Sequence, residues 1–320
     1  MNNTVLENIN SQILKLLKKR KNIIKDDDLP SLSITNQNFL NQITNMILDT
    51  VDYEKIVYLG PEGSYTQEAV INKLGNQNNY YSVNSITNIF FEISEGRAKY
   101  GIVPIENSSN GIVGDTINCF NNYDLNIVGE TVLDIHHTLV SNCTKVEDIK
   151  VIFSKDIAFD QCSIFLENYH LNETKYVYVE STTKAAKLAA KTKNSAAICS
   201  QLAATTHFIP VLFKNIEDNK ENKTRFFIIS KEKSLKSNND KTSIIVQLPN
   251  KYGSLIEFLN NFKKAKISLN KIKSHIVNGV STFFIEFDGH QKSKTVQKIL
   301  NKNSKYIKVL GSYPKEVDDI

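Results

Sequence analysis

Apolar residues along the chain follow different spacings, and the changes between them divide it. Over residues 6–24, Leu6, Ile9, Ile13, Leu16, Leu17, Ile23 and Ile24 recur at helical intervals, with lysines filling the other face. Asp26, Asp27, Asp28 and Pro30 stop that pattern. A second helix is expected from about Ser33 or Asn36 to Asp49, with Phe39, Leu40, Ile43, Met46 and Ile47 inward. Two helices of about 45 residues in total bury too little to stand alone, so they need another domain or chain to pack on.

From Lys55 short apolar runs take over. Residues 56–59, 100–104, 151–153 and 195–199 read as buried strands. Helices are expected from Thr66 to Asn72, through Phe159, Cys162, Ile164 and Phe165, and from Ala185 to Ala190. Strands alternating with helices predict parallel or mixed sheets covered on both faces. The region 55–230 is long for one small sheet, so two lobes are expected, with 127–139 crossing over and 222–229 returning. Two lobes joined by crossing strands leave a cleft for a ligand. After a polar linker at 231–241 the order becomes β-α-β-β-α-β, with strands at 243–248, 267–274, 282–288 and 306–311 and helices at 253–264 and 292–301. That is a ferredoxin-like order, a common form of small regulatory module.

Composition narrows the classes. The chain has 320 residues, 39 basic and 34 acidic side chains, and a net charge of +5. Only Arg20, Arg97 and Arg225 are arginine. A lysine excess without interleaved aromatics is a solvated surface and points to no nucleic-acid partner. Four scattered cysteines without a CxxC support neither a disulfide framework nor a zinc site, and no metal is expected. No apolar run is long enough for a membrane span, and the polar start does not read as a signal peptide, so a cytoplasmic protein is expected.

Three polar stretches follow apolar strands. Gly60-Pro61-Glu62-Gly63 is a rigid turn leading to Ser64 and Thr66 at a helix start, without the spacing of a nucleotide loop. Glu106, Asn107 and Ser108 follow the strand ending at Pro104, with Gly111 and Gly114 beyond. Neutral donors of this kind suit a ligand rich in oxygens, although a plain surface loop also accounts for them. Thr224 and Arg225 open a strand, where an arginine either forks onto a carboxylate ligand or forms a structural ion pair. His137 and Cys162 read as structural residues before they read as catalytic ones, and Ser181 as a helix cap.

Together the stretches YLGPEGSYTQEA at 58–69, GIVPIENSSNGIVGDT at 101–116 and TRF at 224–226 resemble the prephenate dehydratase family, with supporting matches at 136–139, 154–162, 181–186 and 196–204. The resemblance implies a two-lobed, periplasmic-binding-protein-like α/β catalytic domain at 55–230. It implies a carbon–oxygen lyase that converts prephenate to phenylpyruvate in phenylalanine biosynthesis, with no cofactor. Thr224 and Glu106 would be catalytic. Ser64, Thr66, Asn107, Ser108, Arg225 and Phe226 would bind substrate, joined by His137, Gln161 and Ser181. Residues 242–320 resemble a phenylalanine-binding ACT domain, implicating Gly253, Ser254, Leu255, Asn270 and Ser274. The family's Glu-Ser-Arg-Pro run is replaced by Lys273-Ser274-His275-Ile276, so weakened inhibition by phenylalanine is expected. Residues 1–52 resemble a shortened chorismate mutase segment in which Arg20 is a remnant of the site. A homodimer or higher homo-oligomer is expected. The rival readings are a bifunctional mutase–dehydratase and a non-catalytic small-molecule sensor using the same cleft.

Overall fold

The computed structural model describes residues 55–75, 79–277 and 280–316. The two helices expected within residues 1–52, and Arg20, lie outside the described residues. Everything below belongs to one compact unit, 54–320.

The first lobe is built on a six-stranded sheet. Its elements are β1 (Ile56–Leu59), α1 (Tyr65–Leu74), β2 (Tyr80–Val83), α2 (Ile86–Ser94), β3 (Tyr100–Asn107), β4 (Gly111–Ile112), α3 (Gly114–Asn122) and β5 (Asn126–Asp134). The strand order is β2-β1-β3-β11-β5, with β4 pairing β3 and β11 (Lys223–Ser230) arriving from the far end of the chain. Strands β2, β1 and β3 are parallel, whereas β11 is antiparallel to both β3 and β5. Both faces are apolar because both are covered. Ile56, Tyr58, Ile102, Phe226 and Ile228 pack with Ala69 and Val70 of α1. Val57, Val103, Phe227 and Ile229 pack with residues of α2 and α3.

The chain crosses at Ile135–His137 into the second lobe, so the expected single strand at 127–139 is two, β5 and β6 (Thr138–Ser141). There follow β7 (Val151–Ser154), α4 (Asp156–Asp160), α5 (Ser163–Asn168), β8 (Lys175–Tyr178), α6 (Thr182–Ala189), β9 (Ser195–Cys199), α7 (Gln201–Thr206) and β10 (Val211–Lys214). The sheet order is β10-β6-β9-β7-β8. The expected helix through Phe159 and Phe165 is broken at Cys162 into α4 and α5. Ala185, Ala186 and Ala189 of α6 share a core with Ala197 and Ala203, since small side chains let the helix lie close on the sheet. Cys162 and Cys199 are wholly buried, and burial raises both thiols, Cys199 to about 12. They are packing residues.

The C-terminal part forms β12 (Asp240–Val246), α8 (Ser254–Ala265), β13 (Leu269–Val277), β14 (Val280–Asp288), α9 (Lys294–Lys302) and β15 (Ile307–Pro314). Its antiparallel sheet runs β13-β14-β12-β15. The expected β-α-β-β-α-β order is present, but β12 starts at Asp240, so the linker is shorter than read and Lys241 is buried in the strand. One face packs on α8 and α9 through Ile244, Val246, Ile285 and Phe287. The other face, with Ile245, Phe284, Leu310 and Tyr313, joins the core of the first lobe. Gly311 is obligatory in that contact: its φ is +155°, and a Cβ there would lie 2.2 Å from the carbonyl oxygen of Ile127.

Four buried charges sit in this seam. Arg225 of β11 forks onto Glu286 of β14 at 2.6 and 2.7 Å and donates through Nε to Glu130 of β5 at 2.8 Å. Lys241 of β12 reaches Glu130 at 2.8 Å. Ser243 donates to Glu286 at 2.9 Å, and Tyr313 donates to it at 3.0 Å. The four charges cancel, so the cluster is neutral as a whole. Burial alone would raise the Glu286 carboxyl, but Arg225, supported by Lys241 and Ser243, brings it down from 4.5 to about 2. A carboxyl whose folded-state pKa is depressed stabilises the fold above its unfolded pKa and loses that contribution as the pH falls. Here the window runs from 4.5 to about 2, with a contribution of about 3 kcal/mol. Urea titrations between pH 7 and pH 3 should therefore show stability falling in the acid range. In E286Q the acid slope should be shallower, and stability at pH 7 lower by about 3 kcal/mol because Arg225 keeps its charge and loses a partner. Equal acid slopes for the two proteins would contradict this.

Candidate functional site

Strands β3 and β11 end side by side where the first lobe meets the crossover. Their antiparallel register sets Thr224 opposite Asn107 and Arg225 opposite Glu106, then skips to Phe226 opposite Pro104, leaving Ile105 as a bulge. Opposed residues share a face, so the bulge decides what each side chain can reach. Asn107 and Thr224 point one way, Glu106 and Arg225 the other. The Asn107 amide nitrogen lies 2.9 Å from Thr224 Oγ1, 3.1 Å from the Lys223 carbonyl and 2.8 Å from Asn222 Oδ1, and shares its two protons among these three acceptors. Its oxygen accepts the N–H groups of Ser109 and Asn110, both at 3.0 Å. Thr224 Oγ1 thus receives a hydrogen bond and keeps its own proton free to donate. Ser108 is exposed and laces the strand ends together, its hydroxyl accepting the Lys223 N–H at 2.9 Å.

At the crossover, His137 is buried and bonded on every side. Its N–H donates to Glu217 at 2.8 Å, Nδ1 lies 2.6 Å from the Tyr65 hydroxyl, and Nε2 lies 2.8 Å from Gln161 Oε1. With the Gln161 amide in this orientation, Nε2 carries the proton and Nδ1 accepts from Tyr65. Burial lowers the His137 pKa, so the ring is neutral at pH 7. Tyr65 belongs to α1 and Gln161 to the second lobe, so this histidine ties the two lobes at the hinge. Glu217 also reaches the His136 ring at 2.7 Å. Burial pushes its carboxyl up, but the His137 N–H and the His136 ring hold it below the usual carboxylate value.

The loops of the two lobes meet at Gly63. Ser200 donates to the Gly63 carbonyl at 2.9 Å. Gly63 has φ +87°, and a Cβ on it would stand 3.0 Å from Ala203 Cα and 3.1 Å from Thr183 Cγ2. Beside this contact lies an interlobe groove of about 900 Å³, with Gly60, Pro61 and Glu62 on one wall and Ser181, Thr183, Lys184, Lys187, Lys191 and His207 on the other. Ser64 caps α1, accepting the Gln67 N–H at 3.3 Å and donating to the Leu59 carbonyl at 2.8 Å, so its hydroxyl is committed. Ser181 caps α6 by accepting the Lys184 N–H at 3.1 Å and keeps its proton. Thr66 is buried in the first turn of α1.

Several expected site residues lie elsewhere. Arg225 is 1% exposed and its fork is filled by Glu286 and Glu130, so it is the structural ion pair and not a substrate clamp. Glu106 is 6% exposed and pairs with Lys271 of β13, with Lys273 at 3.7 Å, because the bulge turns it away from Thr224. Phe226 faces the side of Thr224, but at 2% exposed it is core beneath α1. The His137 ring is saturated and binds the hinge, not a ligand. In the C-terminal unit, Gly253 precedes α8 at φ +78°, followed by Ser254 and Leu255; the Asn270 amide donates to Asp288 at 2.7 Å; Ser274 is exposed on β13. Tyr65, Asn222, Glu217 and Lys271 were not singled out from sequence. Tyr65 stood between two flagged hydroxyls and Asn222 beside the Thr-Arg-Phe run, whereas nothing in the pattern marks Glu217 or Lys271.

Two α/β lobes joined by two crossing segments, with hydroxyl and amide donors where the strands meet the hinge, define a framework for holding a small polar molecule. The chain belongs to the prephenate dehydratase family, whose model matches residues 56–234. It is 38% identical over 270 residues to a bifunctional chorismate mutase/prephenate dehydratase of Pseudomonas aeruginosa, covering 82% of this chain and 74% of that one. It is 33% identical over 272 residues to a prephenate dehydratase of Methanocaldococcus jannaschii, covering 81% and 97%. A crystal structure of the prephenate dehydratase of Arthrobacter aurescens in complex with L-Phe superimposes with a TM-score of 0.75 at 28% identity, covering 82% of this chain and 90% of that one.

The Gly63 contact gives a direct test of the interlobe site. Gly63→Ala places a methyl against Ala203 and Thr183 in a left-handed backbone conformation. It should lower stability by about 1–2 kcal/mol and lower kcat/KM for prephenate by at least about tenfold. Thermal unfolding and steady-state assays check both values, and a parental kcat/KM would contradict it.

Proposed function

We propose that the protein is a prephenate dehydratase whose reaction takes place where Thr224 and Asn107 meet the cleft. The observation that carries this reading is the hydrogen bond from the Asn107 amide to Thr224 Oγ1, which makes the threonine oxygen an acceptor there and leaves its own proton available to donate. Prephenate loses carbon dioxide and its C4 hydroxyl as the ring becomes aromatic. The electrons of the broken C–C bond enter the ring, the C–O bond breaks, and the hydroxide leaves as water after gaining a proton. Aromatisation supplies the driving force, so no electron-sink cofactor is required. The threonine hydroxyl has no pKa near neutrality, so its part is to donate a hydrogen bond to the departing oxygen as charge builds there. With Arg225 engaged elsewhere, the two carboxylates fall to neutral donors such as the Gln161 amide nitrogen and the Ser181 hydroxyl, and to the lysines of α6. These groups favour catalysis over a passive sensor, since a sensor needs no donor aimed at a leaving group.

The C-terminal unit, at 242–320, is read as an ACT-like regulatory module that also pairs two chains. Ile256, Ile272, Ile276 and Tyr252 stand exposed around α8 and the edge strand β13, an apolar area suited to a second copy. Phenylalanine is the proposed effector, weakened by the substitutions at 273–276. Sedimentation should give a homodimer, and phenylalanine should inhibit only weakly; a monomer would remove this part of the reading. The four cysteines are free, in keeping with a cytoplasmic place of action.

A dehydratase without mutase activity predicts phenylpyruvate from prephenate and none from chorismate alone. Thr224→Ala should lower kcat/KM by about 100-fold or more while Thr224→Ser retains most activity. A kcat/KM within a few-fold of the parent in the alanine variant would overturn the role of Thr224.

A further inference from the structure

Glu106 and Arg225, on the opposite face from Asn107 and Thr224, both meet the C-terminal sheet. Glu106 and Arg225 are cross-strand partners on the first-lobe sheet. Lys271 and Glu286 are cross-strand partners on the C-terminal sheet. Each charge of one pair meets its opposite in the other: Glu106 with Lys271, and Arg225 with Glu286 at 2.6 and 2.7 Å. The four groups form an alternating square between two sheets. Directly behind Glu106 and Arg225 along the chain stand Asn107 and Thr224, on the opposite face. Those two lie at the last residue of β3 and the second of β11, where a strand pair is held by few ladder bonds. Further along β13, His275 lies against Gly114 at the start of α3, where a Cβ would meet its ring at 2.7 Å.

We propose that Glu106 and Arg225 are positioning residues of the dehydratase reaction, held by Lys271 and Glu286 so that the Asn107–Thr224 pair keeps its geometry. This rests on the reading of Thr224 given above. The C-terminal unit is then part of the catalytic framework and not only an appended regulator. Among the described residues Lys271 reaches the first lobe through its ion pair with Glu106, and its loss acts on turnover through the strand ends. A displacement of about 1 Å at a hydrogen-bond donor is enough to cost up to about 100-fold in rate.

The test compares Lys271→Met, Lys271→Arg, Glu106→Gln and the Lys271→Met/Glu106→Gln double variant in the full chain, with unfolding followed by circular dichroism. Lys271→Met and Glu106→Gln should each lower kcat by about tenfold or more and leave KM within about twofold. Lys271→Arg should restore most of kcat, and the double variant should be no slower than the slower single one, because both act through one contact. Parental kcat in folded Lys271→Met would overturn the proposal. So would a loss in Lys271→Arg equal to that in Lys271→Met, since the charge would then be immaterial. Absence of prephenate turnover by the unmodified protein would overturn the dehydratase reading itself, and the proposal with it; turnover by the unmodified protein with unaffected variants would overturn the proposal alone.

Discussion

The seam between the first-lobe sheet and the C-terminal sheet is organised by one buried arginine. Arg225 has no water to solvate it, so the fold has to supply anions, and it supplies them from two directions: Glu130 within its own sheet and Glu286 across the seam. Lys241 pairs with Glu130 as well, so the two carboxylates face two cations. Removing water from four charges is expensive, and only near-ideal geometry offsets that cost. A bidentate fork at 2.6 and 2.7 Å, with Ser243 and Tyr313 satisfying the remaining lone pairs of Glu286, meets that condition. Such a cluster fixes relative placement closely, because a shift by one residue in either sheet would strand an unpaired charge.

The apolar surroundings work to the same end. Phe227 packs edge-on to Tyr313 and tilted to Phe284, so the residues flanking Arg225 on its own face complete the same contact. The opposite face of β11 belongs to α1 and the interlobe region. One strand therefore carries structural and proposed chemical duties on its two sides, separated by the alternation of side chains. The hinge is built by a similar economy: His137 is neutral, buried, and shared between Tyr65 of one lobe and Gln161 of the other.

Most elements were legible in the sequence because their hydrophobic periods differ. The buried strands at 56–59 and 195–199 and the β-α-β-β-α-β order after the linker follow from period and turn residues alone. What the pattern could not carry was register. The bulge at Ile105 shifts Glu106 to the opposite face from the one that simple alternation through 102 and 104 assigns. A one-residue slip of this kind leaves no mark in composition, and it moves a carboxylate from the cleft to a lysine of another sheet. Arg225 was legible as unusual by its rarity, and both of its readings were open; burial decided for the ion pair. Glu286, its counterpart across the seam, and Lys271, the partner of Glu106, lie far along the chain in strands that read as ordinary.

Arg225 is held rigidly by carboxylates from both sheets, and the scarcity of arginine makes that rigidity measurable. With three arginines in the chain, guanidinium nitrogen resonances can be assigned by single Arg→Lys variants. The Arg225 guanidinium should show slow hydrogen exchange at Nε and separately resolved Nη signals from hindered rotation, both lost in E286Q. Rapid exchange and averaged Nη signals at Arg225 in the unmodified protein would contradict it.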